Sequence, residues 1–472
     1  MAALTTKGKI RDFTEGPLLS RIIFFSLPLI ATSILHLLFN TADTIVVGRW
    51  GGATPDECES ALAAVGSCSS LINLIVTLFM GLSLGSGICV AQSIGAKRYD
   101  RLEKIVHTSV LTAIILGTIA SVFGFFMARP LLILMGTEEK VLDQAVPYMK
   151  AYFVGILANM IYNYCAAMIR STGDTLRPLF FLTIAGVANV GLNLVMVLAF
   201  HQGALGVGVA TAASNWVACI LIIAHMMRKD CPCHLMFKKL SIDFGILKKI
   251  IRIGIPAGLT SALFSISNVT IQSSINSLGK ITVAGNAASA NLEGYIYATQ
   301  NSVYQATLTF VGQNAGARRA DRIKRIAGWS LLCVTVIGIA VSSLMLLFGR
   351  QLIGLYAPDN QAVIDKGMTR MYIVGATHAI CGLMEVGCGC IRGMGKSFGP
   401  MIVSLMGSCV FRVVWVFTIF QLVPESIKQQ TLYYSYPLSW ILTGAVHFLC
   451  FFIVLRKAKK SWEARTSALP AV

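Results

Sequence analysis

Three acids stand inside long apolar stretches of this sequence: Asp43 in FNTADTIVVG, Glu293 in ANLEGYIY and Glu385 in LMEVGCGC. Arg412 and the histidines His36, His378 and His447 share that setting. Ionisable groups in an apolar layer are costly, so each marks a candidate ion, proton or substrate site. Near Asp43 in expected depth are Asn189 and Asn193, which are four residues apart and so share one helical face. Counted from Pro178, Asn193 lies roughly 22 Å along its helix, and Thr211 lies roughly 12 Å in from the opposite end of the next. Across a hydrocarbon core of about 30 Å these depths nearly coincide, in the outer half. One carboxylate, two amide oxygens and a hydroxyl could bind a small hard cation such as Na⁺. A protonatable Asp43 linked to the amides would serve H⁺ coupling equally well. The alternative role for Asn189, Asn193 and Thr211 is hydrogen bonding between helices.

The second half of the chain offers different chemistry. Glu293 and Glu385 are both expected roughly 10 Å from the basic side of the membrane, with Arg412 deeper by about one side-chain length. A Glu–Arg pair would neutralise the expensive charges. An acid left unpaired toward a cleft would become a cation-recognition or proton site. Asn268, Gln272 and Asn276 give the seventh apolar run unusual polarity. Asn291, Tyr295, Tyr297, Asn301, Tyr304 and Gln305 do the same for the eighth, and both are expected to line an aqueous cavity. The substrate-cavity candidates are therefore Gln272, Asn276, Glu293, Tyr297, Glu385 and Arg412.

These groups must be held by membrane-spanning helices. Of 472 residues, 55% are hydrophobic and only 13% charged. A soluble protein needs about a quarter of its residues charged. Runs long enough to span, about 20 apolar residues, fall at 21–47, 61–94, 104–128, 146–169, 178–200, 203–227, 250–278, 281–312, 324–349, 368–391, 398–423 and 431–455. Pro28 and Pro256 sit inside the first and seventh, where bends are expected. About three quarters of the 39 Lys and Arg lie on one side of this layout, the asymmetry of cytoplasmic loops. Both termini are therefore expected in the cytoplasm, with residues 1–20 and 456–472 as cytoplasmic arm and tail. The net charge of +18 reflects orientation rather than nucleic-acid binding, and attraction to anionic lipid headgroups should accompany it.

The sequence also repeats itself. AQSIGAKRYDR (91–101) and GQNAGARRADR (312–322) share six of eleven positions at an offset of 221. MIRSTGDTLRP (168–178) and CIRGMGKSFGP (390–400) share four of eleven at 222, and SLPLIATS pairs with GIPAGLTS at 228. The repeat predicts an all-α membrane fold of twelve transmembrane helices in two six-helix lobes, 21–227 and 250–455, joined by a basic linker at 228–249. An offset of six spans gives both lobes the same orientation, so a pseudo-two-fold along the membrane normal is expected. One chain then contains its own duplicated cleft, which argues against a channel assembled from copies and for a functional monomer.

Most of the thirteen cysteines lie in spans or cytoplasmic segments, which is no disulfide framework. Cys231-Pro-Cys233-His234 in the linker resembles half of a metal site but lacks a partner pair. The sequence contains no Gly-rich phosphate loop, no HExxH helix and no serine elbow, so no enzyme and no internal ATPase is expected, and no cofactor beyond a coupling ion.

Taken together, the chain resembles the multidrug and toxic compound extrusion (MATE) family over residues 14–458. The resemblance rests on TEGPLL, LPLIATSILHLLFNTADTIVVG, the pairs Gln92/Gly95 and Gln313/Gly316, IRSTGD and IRGMGKS, in order and spacing. It implies two six-helix lobes forming a V in the plasma (inner) membrane, exporting amphipathic organic cations or drugs in exchange for Na⁺ or H⁺. It also implies that Asp43, Asn189, Asn193 and Thr211 match the family's N-lobe cation site. Some members have Asp where this chain has Asn193, so one charge fewer is present here and the coupling ion stays open. The alternative is a flippase for a lipid-linked saccharide of the same broad superfamily. Buried acids favour a cationic substrate over that reading.

Overall fold

In the computed structural model, residues 10–356 and 360–467 are described. Within the membrane every backbone amide must be satisfied by its own segment, and these residues comply by forming helices. Twelve long helical stretches follow one another. They are α1 (Leu18–Trp50), α2 (Pro55–Gly95), α3 (Tyr99–Leu134), α4 (Glu139–Ser171), α5 (Leu176–Ala199) and α6 (Gly203–Met226). After the linker come α7 (Phe244–Asn276), α8 (Lys280–Gly316), α9 (Ala320–Leu347), α10 (Gln361–Gly393), α11 (Phe398–Leu422) and α12 (Glu425–Ser467). Eleven are long and apolar enough to cross a membrane; α8 has the length, 37 residues, but carries more polarity. Its hydroxyls and amides bond inward to carbonyls one turn back: Ser302 to Ala298, Thr307 to Val303, Thr309 to Gln305 and Asn314 to Phe310. That is how so polar a helix stays buried.

Two of the longer stretches contain π-helical turns beside buried arginines. In α10 the turn Met371–Gly375 follows Arg370, and in α11 the turn Leu405–Val410 precedes Arg412. The extra residue in such a turn re-aims the side chains that flank it.

The chain forms two compact units. One holds Ala31–Ile94 and Arg98–Gly258, the other Asp12–Ile30, Gly95–Lys97 and the chain from Leu259 onward. The boundary thus runs through α1 and α7 just past Pro28 and Pro256, and relative to the expected lobes 21–227 and 250–455 it amounts to an exchange of the first halves of their first helices. Close helix contact explains the exchange. In the first unit, Gly254 and Gly258 of α7 lie directly on Gly81 and Leu82 of α2, and Gly85 lies on Ile250, so that a methyl group at Gly81, Gly85 or Gly258 would strike the opposing backbone. Two small-xxx-small pairs let these helices touch, as in membrane dimers. In the second unit Phe25 and Leu29 of α1 join Val303, Ala306 and Phe310 of α8 in one apolar core. Phe13 stacks on Phe310 with ring centroids 4.0 Å apart.

Candidate functional site

The first unit gathers Asp43, Asn189, Asn193 and Thr211 into one hydrogen-bonded cluster. Asn189 and Asn193 sit one turn apart on α5, both buried, and Thr211 faces them from α6. Asn193 donates its side-chain amide to one oxygen of Asp43, and the Thr211 hydroxyl lies 3.5 Å from the other. The same Asn193 amide is 3.3 Å from the Asn189 oxygen, and Asn189 Nδ2 is 3.5 Å from Thr211. Asn193 Oδ1 is fully buried with no hydrogen-bond partner among the described residues. A buried acceptor of this kind is one that a cation or an ordered water would satisfy. Tyr148 and Tyr152 of α4 lie close enough to feel the charge of Asp43, with their rings 6.4 Å apart. The sequence reading missed this pair, although its spacing of four residues places it on one helical face.

The second unit separates its charged candidates. Glu293, 6% exposed, is held by Arg370 of α10 through two parallel bonds, Nε to Oε1 at 2.8 Å and Nη2 to Oε2 at 2.7 Å. Arg370 Nη1 also bonds Asn286 at 2.8 Å, and its guanidinium lies over the rings of Tyr433 and Tyr436. Asn286 continues the network to Gln272 at 3.4 Å, and Gln272 to Asn276 at 3.0 Å. The expectation that Arg412 would neutralise an acid is corrected. Its Nε bonds Ser439 at 2.9 Å, and its guanidinium lies 4.3 Å from the Tyr436 ring centroid and 5.8 Å from that of Trp440. The reason lies in α10, which begins at Gln361 behind an Asn360 cap and so brings Arg370 inside the bundle. Equal depth for Glu293 and Glu385 is corrected as well. Along α8, Glu293 stands roughly 20 Å from Lys280 and roughly 35 Å from Gly316, whereas Glu385 is roughly 12 Å from the end of α10 at Gly393.

Glu385 is the remaining acid. It is partly exposed, and its carboxylate has no hydrogen bond or ion pair among the described residues. Its charge is felt by Tyr297, Cys381, Tyr304 and Arg392. Arg392 is itself bonded to Tyr304 at 2.8 Å and Thr260 at 2.9 Å. Tyr297, Asn301 and Gln305 form a partly exposed polar ladder on α8. The membrane histidines take up other roles. His378 and Gln300 bond one another, His447 sits among Ser404, Pro400 and Met384, and His36 is exposed. In the linker, His234 Nδ1 faces the carbonyls of Met226 and Arg228, and Cys233 lies against Met168. No set of three or more metal-ligating side chains occurs among the described residues.

These two polar centres, one per unit and at different positions in the repeat, sit on a duplicated framework that comparison with other proteins identifies. The model of the MatE family matches residues 28–195 and again 256–418, once in each half. The chain belongs to the MatE family. It is therefore a multi-pass membrane transporter of the multidrug and toxic compound extrusion type and not an enzyme. Among MatE relatives, "Probable multidrug resistance protein YoeA" of Bacillus subtilis is 25% identical over 81% of this chain and 82% of its own length. "Probable multidrug resistance protein NorM" of Thermotoga maritima is 24% identical over 82% of each. Among solved folds, a MOP superfamily transporter from Pyrococcus furiosus superposes with a TM-score of 0.89 at 20% identity, covering 96% of this chain and 99% of that one. A "multidrug resistance MATE family transporter of the MOP superfamily" in an outward-facing conformation gives the same values.

Proposed function

We propose that this MatE transporter is a secondary antiporter, exporting amphipathic organic cations in exchange for Na⁺ or H⁺. The observation that carries the reading is the Asp43 cluster. The Asp43 carboxylate, the Asn189 amide oxygen and the Thr211 hydroxyl lie around the Asn193 amide, whose own oxygen is buried with no partner among the described residues. Oxygen donors around one net negative charge suit Na⁺, and the same carboxylate with its amide partners suits a proton. Either ion neutralises Asp43 in a setting where its charge is costly. Bound ion would favour one arrangement of α1, α5 and α6 and released ion another, which is the differential contact that coupling requires.

Glu385 supplies the second part of the proposal. Unpaired and beside Tyr297, it offers a cationic amphipath a counter-charge and an aromatic face. Glu293 does not share that task, because Arg370 already neutralises it. The relatives' names, multidrug resistance and multidrug export, agree with such a substrate. The test is transport by the full chain in proteoliposomes, with a Na⁺ or an H⁺ gradient imposed separately. Dye efflux driven by at least one gradient is expected; efflux under neither would overturn the antiporter reading.

A further inference from the structure

The basic ends of α8, α9 and α12 enclose an open cavity of about 820 Å³ in the second unit. Arg318, Arg319, Arg322, Arg325, Lys459 and Trp462 line it, along with Asp321 and Glu463. The cations in it are not equivalent. Arg319 and Arg322 are spent on the N-terminal arm, donating to the carbonyls of Thr14, Phe13, Glu15 and Gly16. Arg318 and Arg325 are exposed, and their side chains have no hydrogen bond or ion pair among the described residues. Lys459 makes a single long contact with Asp321, at 3.4 Å.

Two observations point to an occupant. The first is the contrast with the other half. At the repeat offset of 221, Lys324 corresponds to Glu103, and Glu103 is bonded at 2.9 Å by the chain's own Lys239 from the linker. In the second unit the acid is replaced by Lys324, and its neighbour Arg325 lines the cavity with no acid bonded to it. The second is depth. Ile453 and Trp329 are exposed apolar side chains on helices long and apolar enough to cross a membrane. Lys459 follows Ile453 by about 9 Å along α12, and Arg325 precedes Trp329 by about 6 Å along α9. Headgroups occupy a layer of about 5–8 Å beyond the hydrocarbon. Trp462, half-buried against the core, adds the amphipathic ring typical of that layer.

We infer that this cavity binds the phosphate headgroup of an anionic membrane phospholipid, through Arg318, Arg325 and Lys459. The headgroup would sit beside the arm that Arg319 and Arg322 hold, so bound lipid and ordered arm support one another.

The full chain, purified in detergent and offered an equimolar mixture of phosphatidylglycerol and phosphatidylcholine, tests this by native mass spectrometry. Wild type should retain phosphatidylglycerol preferentially. Each cation removed should weaken retention roughly five-fold, so Arg318→Gln/Arg325→Gln should nearly abolish the preference. Lys104→Gln, the repeat counterpart of Arg325, should leave it intact. Lys459→Gln, which touches no arm contact, gives a second reading should the double variant unfold. Unchanged phosphatidylglycerol retention in Arg318→Gln/Arg325→Gln or in Lys459→Gln would overturn the inference. So would displacement of the lipid by millimolar inorganic phosphate, which would mark a free-anion site instead.

Discussion

Arg370 grips Glu293 with both ends of its guanidinium fork, at 2.8 and 2.7 Å, in a pocket where each residue is 6% exposed. The pair ties α8 to α10, and its remaining donor extends the tie through Asn286 to Gln272 on α7. At the repeat offsets of 221 and 222 the first half has Ile72 and Tyr148 in these places. The second half therefore carries a charged pair where the first half carries an apolar and an aromatic side chain.

Breaking the pair should cost stability rather than ion selectivity. Glu293→Gln leaves a buried, uncompensated arginine, for which about 3–5 kcal/mol is expected. Thermal unfolding of the detergent-purified variant should show a large loss. Glu293→Leu/Arg370→Leu should recover part of it, because an apolar pair leaves no stranded charge. A Glu293→Gln protein as stable as wild type but unable to transport would contradict this assignment.

Glu385 should behave in the opposite way. Glu385→Gln removes an unpaired carboxylate and should leave the fold intact. KM for a cationic dye should rise roughly ten-fold or more, from about 1.5–3 kcal/mol for an interaction with a charged group. A neutral amphipath should be little affected. Equal effects on charged and neutral substrates would remove Glu385 from cation recognition.

The α2–α7 crossing should tolerate no side chain. Gly258→Val places branched carbons on the Leu78 backbone of α2. Overpacking of this kind costs about 1–3 kcal/mol or more. Folded yield and melting temperature should fall. At Gly294, where a methyl group would meet no neighbouring atom within 4 Å, Gly294→Ala should be neutral.

Linker thiols should be inert. Burial pushes the Cys231 thiol up to about 11, and burial pushes Cys233 up as well. At pH 7 almost no thiolate is present, so alkylation of the folded protein should be slow at both. Rates should rise with pH toward 11, and unfolding should release both thiols. Rapid modification of the native protein at neutral pH would contradict the burial of this loop.

The twelve spans and the duplication were legible because both are written locally, in apolar runs and matched loop strings. Asp43, Asn189, Asn193 and Thr211 could be grouped from helical rise alone, since each lies on a regular helix with a clear end. Arg370 was not legible. It stands at the outer edge of the expected tenth span, 368–391, after the polar QAVIDKG, and only the Asn360 cap and the buried partner Glu293 reveal that the helix begins earlier and carries Arg370 inward. The π-helical turns at Met371–Gly375 and Leu405–Val410 also shift the faces that a regular 3.6-residue count assigns, Arg412's included. The exchange of half-helices between units depends on which glycines meet across space, and no single-helix periodicity encodes that.

In the proposed mechanism, ion binding at Asp43 drives export. Efflux of a cationic dye from proteoliposomes should be measured for wild type and Asp43→Asn, under an imposed Na⁺ or H⁺ gradient and again as dye exchange without a gradient. Wild type should respond to at least one gradient. Asp43→Asn should lose the gradient response while still exchanging dye down its own concentration difference. Gradient-driven efflux by Asp43→Asn at the wild-type rate would contradict the claim.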